Sequence, residues 1–177
     1  MIKGKSGFLL AEETIKIIIA LICLVFLIYV LTSIYYSNKN SKDLKLAQAS
    51  LDHLVLEVDA GETEVELYNP ITNGIAPFRT HWYAFTWSNN GVFPNSCSTL
   101  GWERCVCICG FKSFSGFTLK RASETCDDRG VCKELKKDLR IKSSGSFGVI
   151  GSDIGFEIKD PPVRLTIDYG RGVIFTQ

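Results

Sequence analysis

Six of the chain's seven cysteines, Cys97, Cys105, Cys107, Cys109, Cys126 and Cys132, lie in one stretch of 36 residues, and their spacing points to chemistry more directly than any other feature. Clustered thiols cross-link in an oxidising space, whereas in a reducing one thiolates hold zinc or an iron–sulfur cluster. Cys105, Cys107 and Cys109 alternate with Val106 and Ile108, as on a strand, so their side chains share one face at a spacing of roughly 6.5 Å. That is poor geometry for bonding one another, and each is expected to find its partner elsewhere. If the partners are Cys97, Cys126 and Cys132, the fifteen pairings of six cysteines fall to six, the exception being a bond between Cys126 and Cys132 across Asp127-Asp128-Arg129-Gly130. Each bridge is expected to close a loop of about 15 to 30 residues, contributing at most roughly 3 to 4 kcal/mol through loop-closure entropy before any strain. The rival is a metal site. Against it, no Cys-x-x-Cys knuckle is present and Cys-x-Cys-x-Cys spreads its sulfurs along a line, so neither a metal nor any other cofactor is expected.

Little else reads as catalytic. His53 falls on the polar flank of a helix pattern and His81 at the start of an aromatic strand, and neither belongs to a nucleophile or metal motif. Ser143-Ser144-Gly145-Ser146-Phe147-Gly148 is glycine-rich, but no Lys-Ser/Thr follows and no helix pattern opens behind it, which argues against a phosphate cradle. Trp82, Tyr83, Phe85 and Trp87 suggest a sugar platform, yet on a strand half of them point inward, and core packing explains those. A formal charge of +1 leaves no basic face for a row of phosphates, so nucleic acid is excluded as a partner. An enzyme is not expected.

The elements that carry these residues begin with an uncharged apolar run from Ile17 to Tyr36. Its 20 residues make a helix of roughly 30 Å, the thickness of a bilayer's hydrocarbon core. The run is apolar on all faces, unlike the helix of a soluble core. Cys23 within it reads as a packing or lipid-facing residue. Ser37–Ser41 suggests a pause, with Ser41 as N-cap of a second helix in which Leu44, Ala47, Leu51, Leu54 and Val58 form one apolar stripe. Gly61 ends that pattern and the period changes to two. Strands are expected over 62–68, 80–88, 104–111, 138–142, 154–158, 163–169 and 173–176, with a turn at Asn89-Asn90-Gly91 and a hairpin across Gly170-Arg171-Gly172. The expected class is α+β: a long N-terminal transmembrane helix continuing into an amphipathic helix, then a disulfide-stapled antiparallel β-sheet or sandwich head. The roughly 140 residues after the span suffice for one head domain.

What precedes the run carries a resemblance. Lys3 and Lys5 in a short leader, Gly7, then Phe8, and Glu12 four residues beyond that Phe resemble the class III signal of type IV pilins and pilin-like proteins. The likeness is confined to the leader and helix, and short leaders on small cysteine-rich heads look archaeal. It implies a cut between Gly7 and Phe8 by a prepilin-type peptidase on the cytoplasmic side. It also implies that Glu12 pairs with the new N-terminal amine of a neighbouring subunit during assembly. Glu13 and Lys16 depart from the family pattern, and Glu12 and Lys16, spaced i, i+4, can pair within one helix. The resulting layout is a leader at 1–7, a transmembrane helix at 8–36, a juxtamembrane amphipathic helix at 37–60 and a β-rich extracellular domain at 61–177. Lysines on both flanks leave topology by charge undecided, and the cysteines argue for an outward head on a single-pass membrane protein. The expected partners are the lipid bilayer, the peptidase and other pilin-like subunits or copies of the chain itself. The expected role is that of a cell-surface structural protein; the alternative is a tethered extracellular ligand- or protein-binding module that does not polymerise.

Overall fold

The computed structural model describes residues 6–68, 70, 80–88, 92–112, 118–142 and 155–176, with side chains from Glu13 onward. The chain divides into two units, residues 1–41 and 42–177. The expected turn at Asn89-Asn90-Gly91 and the glycine-rich segment 143–148 lie outside the described residues.

The first unit contributes the opening turns of α1 (Ser6–Ala60). Its large apolar side chains are exposed on every side of the helix, Phe26 at 63% and Leu31 at 66%. A helix this long and apolar, with a mean hydropathy of 3.0 over its most apolar window, meets the length and composition needed to cross a membrane. Thr32, a polar residue within the run, donates its hydroxyl to the Ile28 and Tyr29 carbonyls at 2.9 Å each, so its polarity is satisfied inside the helix. Helical structure continues through Ser37–Ser41, so the expected pause is not realised and Ser41 is not an N-cap. Nothing in Ser-Asn-Lys-Asn-Ser forbids helical φ and ψ, since neither Gly nor Pro is present.

In the second unit, the closing turns of α1 bury the stripe Ala47, Leu51, Leu54 and Val58, with Leu44 packed beside it. Gly61 stops the helix at φ +89°, where a left-handed residue lets Glu62 N–H bond to the Glu57 carbonyl at 3.0 Å and Gly61 N–H to Val58 at 3.2 Å. The Val58 carbonyl also accepts from Lys137 Nζ at 2.6 Å and from the Tyr169 hydroxyl at 3.2 Å. Carbonyls orphaned at a helix end are thereby paired by the head.

The remaining elements, in chain order, are β1 (Glu64–Leu67), β2 (His81–Ser88), α2 (Asn95–Ser98), β3 (Arg104–Phe111), α3 (Leu119–Arg129), β4 (Gly130–Glu134), β5 (Arg140–Lys142), β6 (Gly155–Glu157), β7 (Val163–Asp168) and β8 (Val173–Thr176). They form two four-stranded sheets, one in the order β1-β7-β8-β5 and the other β4-β3-β2-β6. The class is α+β, as expected. The sheets are not wholly antiparallel, because β5 runs parallel to β8. Strands β6 and β7 intervene between the two in the chain, so this parallel pair is not joined by a tight hairpin.

One apolar core joins the helix stripe to one face of each sheet. It includes Leu51 and Leu54 of α1, Val65 and Leu67 of β1, Trp82 and Ala84 of β2, Val106 and Ile108 of β3, and Leu165 and Ile167 of β7. Trp82 lies opposite Gly110 across β2 and β3, and a Cβ at position 110 would stand 3.2 Å from the indole. The glycine leaves room for the ring to cover its neighbour strand.

Three elements, α2, α3 and β4, were not among those expected. The segment Asp127-Asp128-Arg129, expected as a turn, is the last turn of α3, and β4 follows it directly. Helix α2 was not foreseen either. Helix α3 has only Leu119, Ala122 and Cys126 as its apolar stripe, too small a signal to register by hydropathy. Thr118 nevertheless caps it, accepting from Arg121 N–H at 3.2 Å.

Candidate functional site

The cysteines gather on the second face of the β4-β3-β2-β6 sheet. Period-two alternation along β3 sends Val106 and Ile108 to the large core and Cys105, Cys107 and Cys109 to the other side. There they meet Tyr83, Phe85 and Trp87 of β2, and α2 and α3 bring Cys97 and Cys126. Every one of the six cysteines is paired: Cys97 with Cys105, Cys107 with Cys132, and Cys109 with Cys126. Each strand cysteine takes a partner from outside β3, so this is one of the six anticipated pairings, and Cys126 does not bond Cys132.

Local geometry explains each choice. Cys107 and Cys132 face each other directly in the β3–β4 register, with Cα atoms 4.1 Å apart. Cys109 is opposite Gly130, which has no side chain to offer, and it bonds to Cys126 in the preceding helix. A Cβ on Gly130 would lie 2.9 Å from Cys109 Sγ and 2.6 Å from the Cys126 carbonyl oxygen, so the glycine keeps this space open. Cys105 reaches Cys97 on α2 over a separation of only 8 residues, shorter than the expected loops, while the others span 25 and 17. Asp127 ties α2 to α3, its carboxylate accepting from Asn95 N–H at 2.9 Å and Ser96 N–H at 2.8 Å. Five of the six cysteines are buried and Cys132 is half-buried.

The aromatics on this face are packed rather than displayed. Tyr83 meets Phe111 edge-on at 5.2 Å between ring centroids, and Phe85 lies 5.7 Å from Trp87. Trp82, Tyr83, Phe85 and Trp87 are all buried, because β2 is covered on both faces, so they form no sugar platform. Burial, reinforced by the charge of Glu157, pushes the Tyr83 phenol far above its ordinary range.

The two histidines serve as partners of carboxylates. His81, at the first position of β2, hydrogen-bonds through Nδ1 to Glu157 Oε1 at 2.7 Å, and Lys159 Nζ lies 3.2 Å from the other oxygen of that carboxylate. His53 is exposed and 3.6 Å from Glu57.

A cavity of about 180 Å³ opens at the end of β2, lined by Thr86, Trp87, Ser88, Arg104, Asp138, Leu139 and Arg140. Arg104 is engaged by Asp138 at 3.5 Å. Sequence reasoning did not single out this cleft, whose lining comes from β2, β3 and the approach to β5.

Gly7, Phe8 and Glu12 fall within α1, and their side chains lie outside the described residues. Lys16 Nζ stands 3.5 Å from Glu13 Oε1, an exposed contact at i, i+3. No family model, no curated protein and no solved structure matches the chain.

Proposed function

We propose that the chain is a membrane-anchored, single-pass cell-surface structural protein, a pilin-like subunit of a filament or surface assembly. The observation that carries this reading is the pairing of a helix apolar on all sides with a head whose cysteines are all at bonding distance. Such a helix leaves water only for lipid or for other helices, since exposing it in solution forfeits roughly 1.5 to 3 kcal/mol for each large side chain left unburied. Three bridges in one small domain support an oxidising location for the head, and hence a cytoplasmic side for the leader. On that side a prepilin-type peptidase reaches the Gly7–Phe8 bond. The cut frees an amine to pair with Glu12 of a neighbouring subunit, a match for a carboxylate that is costly to bury alone in an apolar environment.

The test is the intact mass of the membrane-extracted protein before and after reduction and alkylation. The expected result is loss of residues 1–7 and six cysteines alkylated only after reduction. Gly7→Trp is expected to retain the leader, and Glu12→Ala to insert normally but fail to assemble. An unchanged N-terminal mass together with unaltered assembly would refute the pilin-like reading.

A second reading, a tethered binding module that does not polymerise, is favoured by the cleft between Arg104 and Arg140. It is distinguished by a head that remains monomeric in the membrane while Glu12→Ala changes nothing.

A further inference from the structure

The β1-β7-β8-β5 sheet carries opposite charges on the two halves of the face it turns away from the core. Period-two alternation sends Val65, Leu165, Ile174 and Ile141 inward and leaves Glu64, Thr166, Phe175 and Lys142 on the outer side. Strand register sets those last four in one row across the sheet. A second row, two residues along, runs Asp168, Val173, Arg140. Glu62 extends it on the β1 side, since Ile167 N–H bonds the Thr63 carbonyl at 2.7 Å and so continues the β1–β7 register. Each row is therefore acidic at the β1 end, apolar on β8 and basic on β5. Glu64, Arg140 and Lys142 are exposed, and among the described residues no ion pair or hydrogen bond engages their side chains. Glu66 and Asp168, by contrast, are already held by Arg164 and Arg171. Val173 and Phe175 are half-buried and belong to neither apolar core.

Two copies can lay such faces together about a two-fold axis in either of two directions. An axis across the strands sets β1 over β1 and β5 over β5, like charge on like. An axis along the strands, above the gap between β7 and β8, sets β1 of each copy over β5 of the other and keeps each row over itself. Glu64 then meets Lys142 of the second copy at both ends of the row, with the two Phe175 rings between. We propose that this face docks on the same face of a second copy of the chain in the latter way. Opposite signs at the two ends of a row are what a self-complementary two-fold surface requires, whereas a partner of one sign would be opposed by half of it. Four strands about 4.8 Å apart and two rows about 6.6 Å apart make a patch on the order of a few hundred Å², below the roughly 800 Å² per partner of a stable soluble complex. The contact is one between copies held in a single bilayer, where tethering raises their effective concentration, and in this it rests on the membrane-anchored reading above.

The experiment uses the full chain reconstituted in phosphatidylcholine liposomes and treated with a water-soluble carbodiimide, which joins a carboxylate to an amine only where the two touch. Linked peptides are mapped by mass. Within one copy Glu64 and Lys142 lie three strand spacings apart, about 14 Å, so a direct bond between them joins two copies. The expected result is Glu64–Lys142 as the main link in the dimer. Phe175→Asp leaves both reactive groups in place and should lower the yield about tenfold, because it brings like charges together at the centre. Glu64→Lys and Lys142→Glu should each give no such link alone, and mixing the two should restore it, since only the mixed pair is complementary at both ends. Glu12→Ala should keep the link, as the head contact needs only a shared bilayer. The proposal is overturned by no Glu64–Lys142 link, by either residue linked only within its own chain, or by links spread evenly over the exposed lysines. A mixture that stays unlinked, an undiminished yield in Phe175→Asp or a link lost in Glu12→Ala would overturn it too. The wild-type map decides the matter if a variant does not fold. Assembly indifferent to Glu12 with the link present refutes the filament alone, and Glu12-dependent assembly without the link refutes this contact alone.

Discussion

Strand β3 has two faces that hold the head together in different ways. On one, Val106 and Ile108 pack against the helix stripe and the other sheet, and stability comes from apolar area removed from water. On the other, Cys105, Cys107 and Cys109 are bolted to α2, α3 and β4, and much of the stabilisation lies in the chain entropy that the bridges deny to the unfolded state. The cysteine face is also apolar, since Tyr83, Phe85 and Phe111 fill it. What separates the two is therefore the state of six sulfurs. The elements on the cysteine side show why they need it: α2 has 4 residues and α3 only 11, too short to hold themselves without tertiary support.

The comparison is broken most severely by reduction. Loop-closure entropy amounts to about 2.5 to 3.5 kcal/mol for loops of these lengths, so opening all three bridges removes on the order of 9 kcal/mol, comparable to the whole stability of an ordinary domain. Thermal unfolding followed by circular dichroism is expected to fall by tens of degrees with reductant, and an unchanged midpoint would mean that packing alone holds the cysteine face. Leu54→Ala, on the opposite face, removes a buried side chain and is expected to cost about 2 to 5 kcal/mol. Because Leu54 belongs to the other core, that loss in denaturant titrations should be the same with bridges closed or open, as far as the reduced head still folds. A loss that depends on the redox state would show the two faces to be coupled.

The smallest effect belongs to the wet side of the first sheet. Hydrogen bonding from Tyr68, at 2.7 Å, and then from Arg164 holds the Glu66 carboxyl below its ordinary value of 4.5. With the folded value depressed, the contribution is whole above the ordinary value and is lost as pH falls through the folded one. The Glu66 side chain lies at the sheet surface, 34% exposed, where solvent screens its charge, so the expected change in stability is slight, and the direct reading is the carboxyl shift followed by NMR as pH is lowered. Tyr68→Phe should move that titration upward; no movement would assign the shift to Arg164 alone.

Much of the head was legible residue by residue. The bounds of β3 and β8 are those expected, because uninterrupted runs of strand-favouring residues are closed by turn residues or charge. The stripe from Leu44 to Val58 is the face that α1 buries, since a period of 3.6 residues has one apolar solution there. Helix α3 was not legible. Ala122 and Cys126 become core residues only because the Cys109 bridge pulls them onto the sheet, and the usable signal was the Thr118 cap, with 119, 122 and 126 at helical spacing. The cleft beside Arg104 and Arg140 was hidden for a related reason, since its walls come together only across strands.

By itself, the sequence determined that one helix is long and apolar enough for a bilayer, that the rest is largely β, and that Cys105, Cys107 and Cys109 bond outward from their own strand. These are local properties: hydropathy summed along a run, and the alternation of side chains on an extended backbone. Only the tertiary structure decided which of the six pairings occurs, that β5 returns parallel to β8, and that Cys107 sits where two clusters of sulfur meet. Periodicity states which face a side chain occupies, but its neighbour across that face is chosen by register and by elements distant in the chain, and no residue spacing encodes that choice.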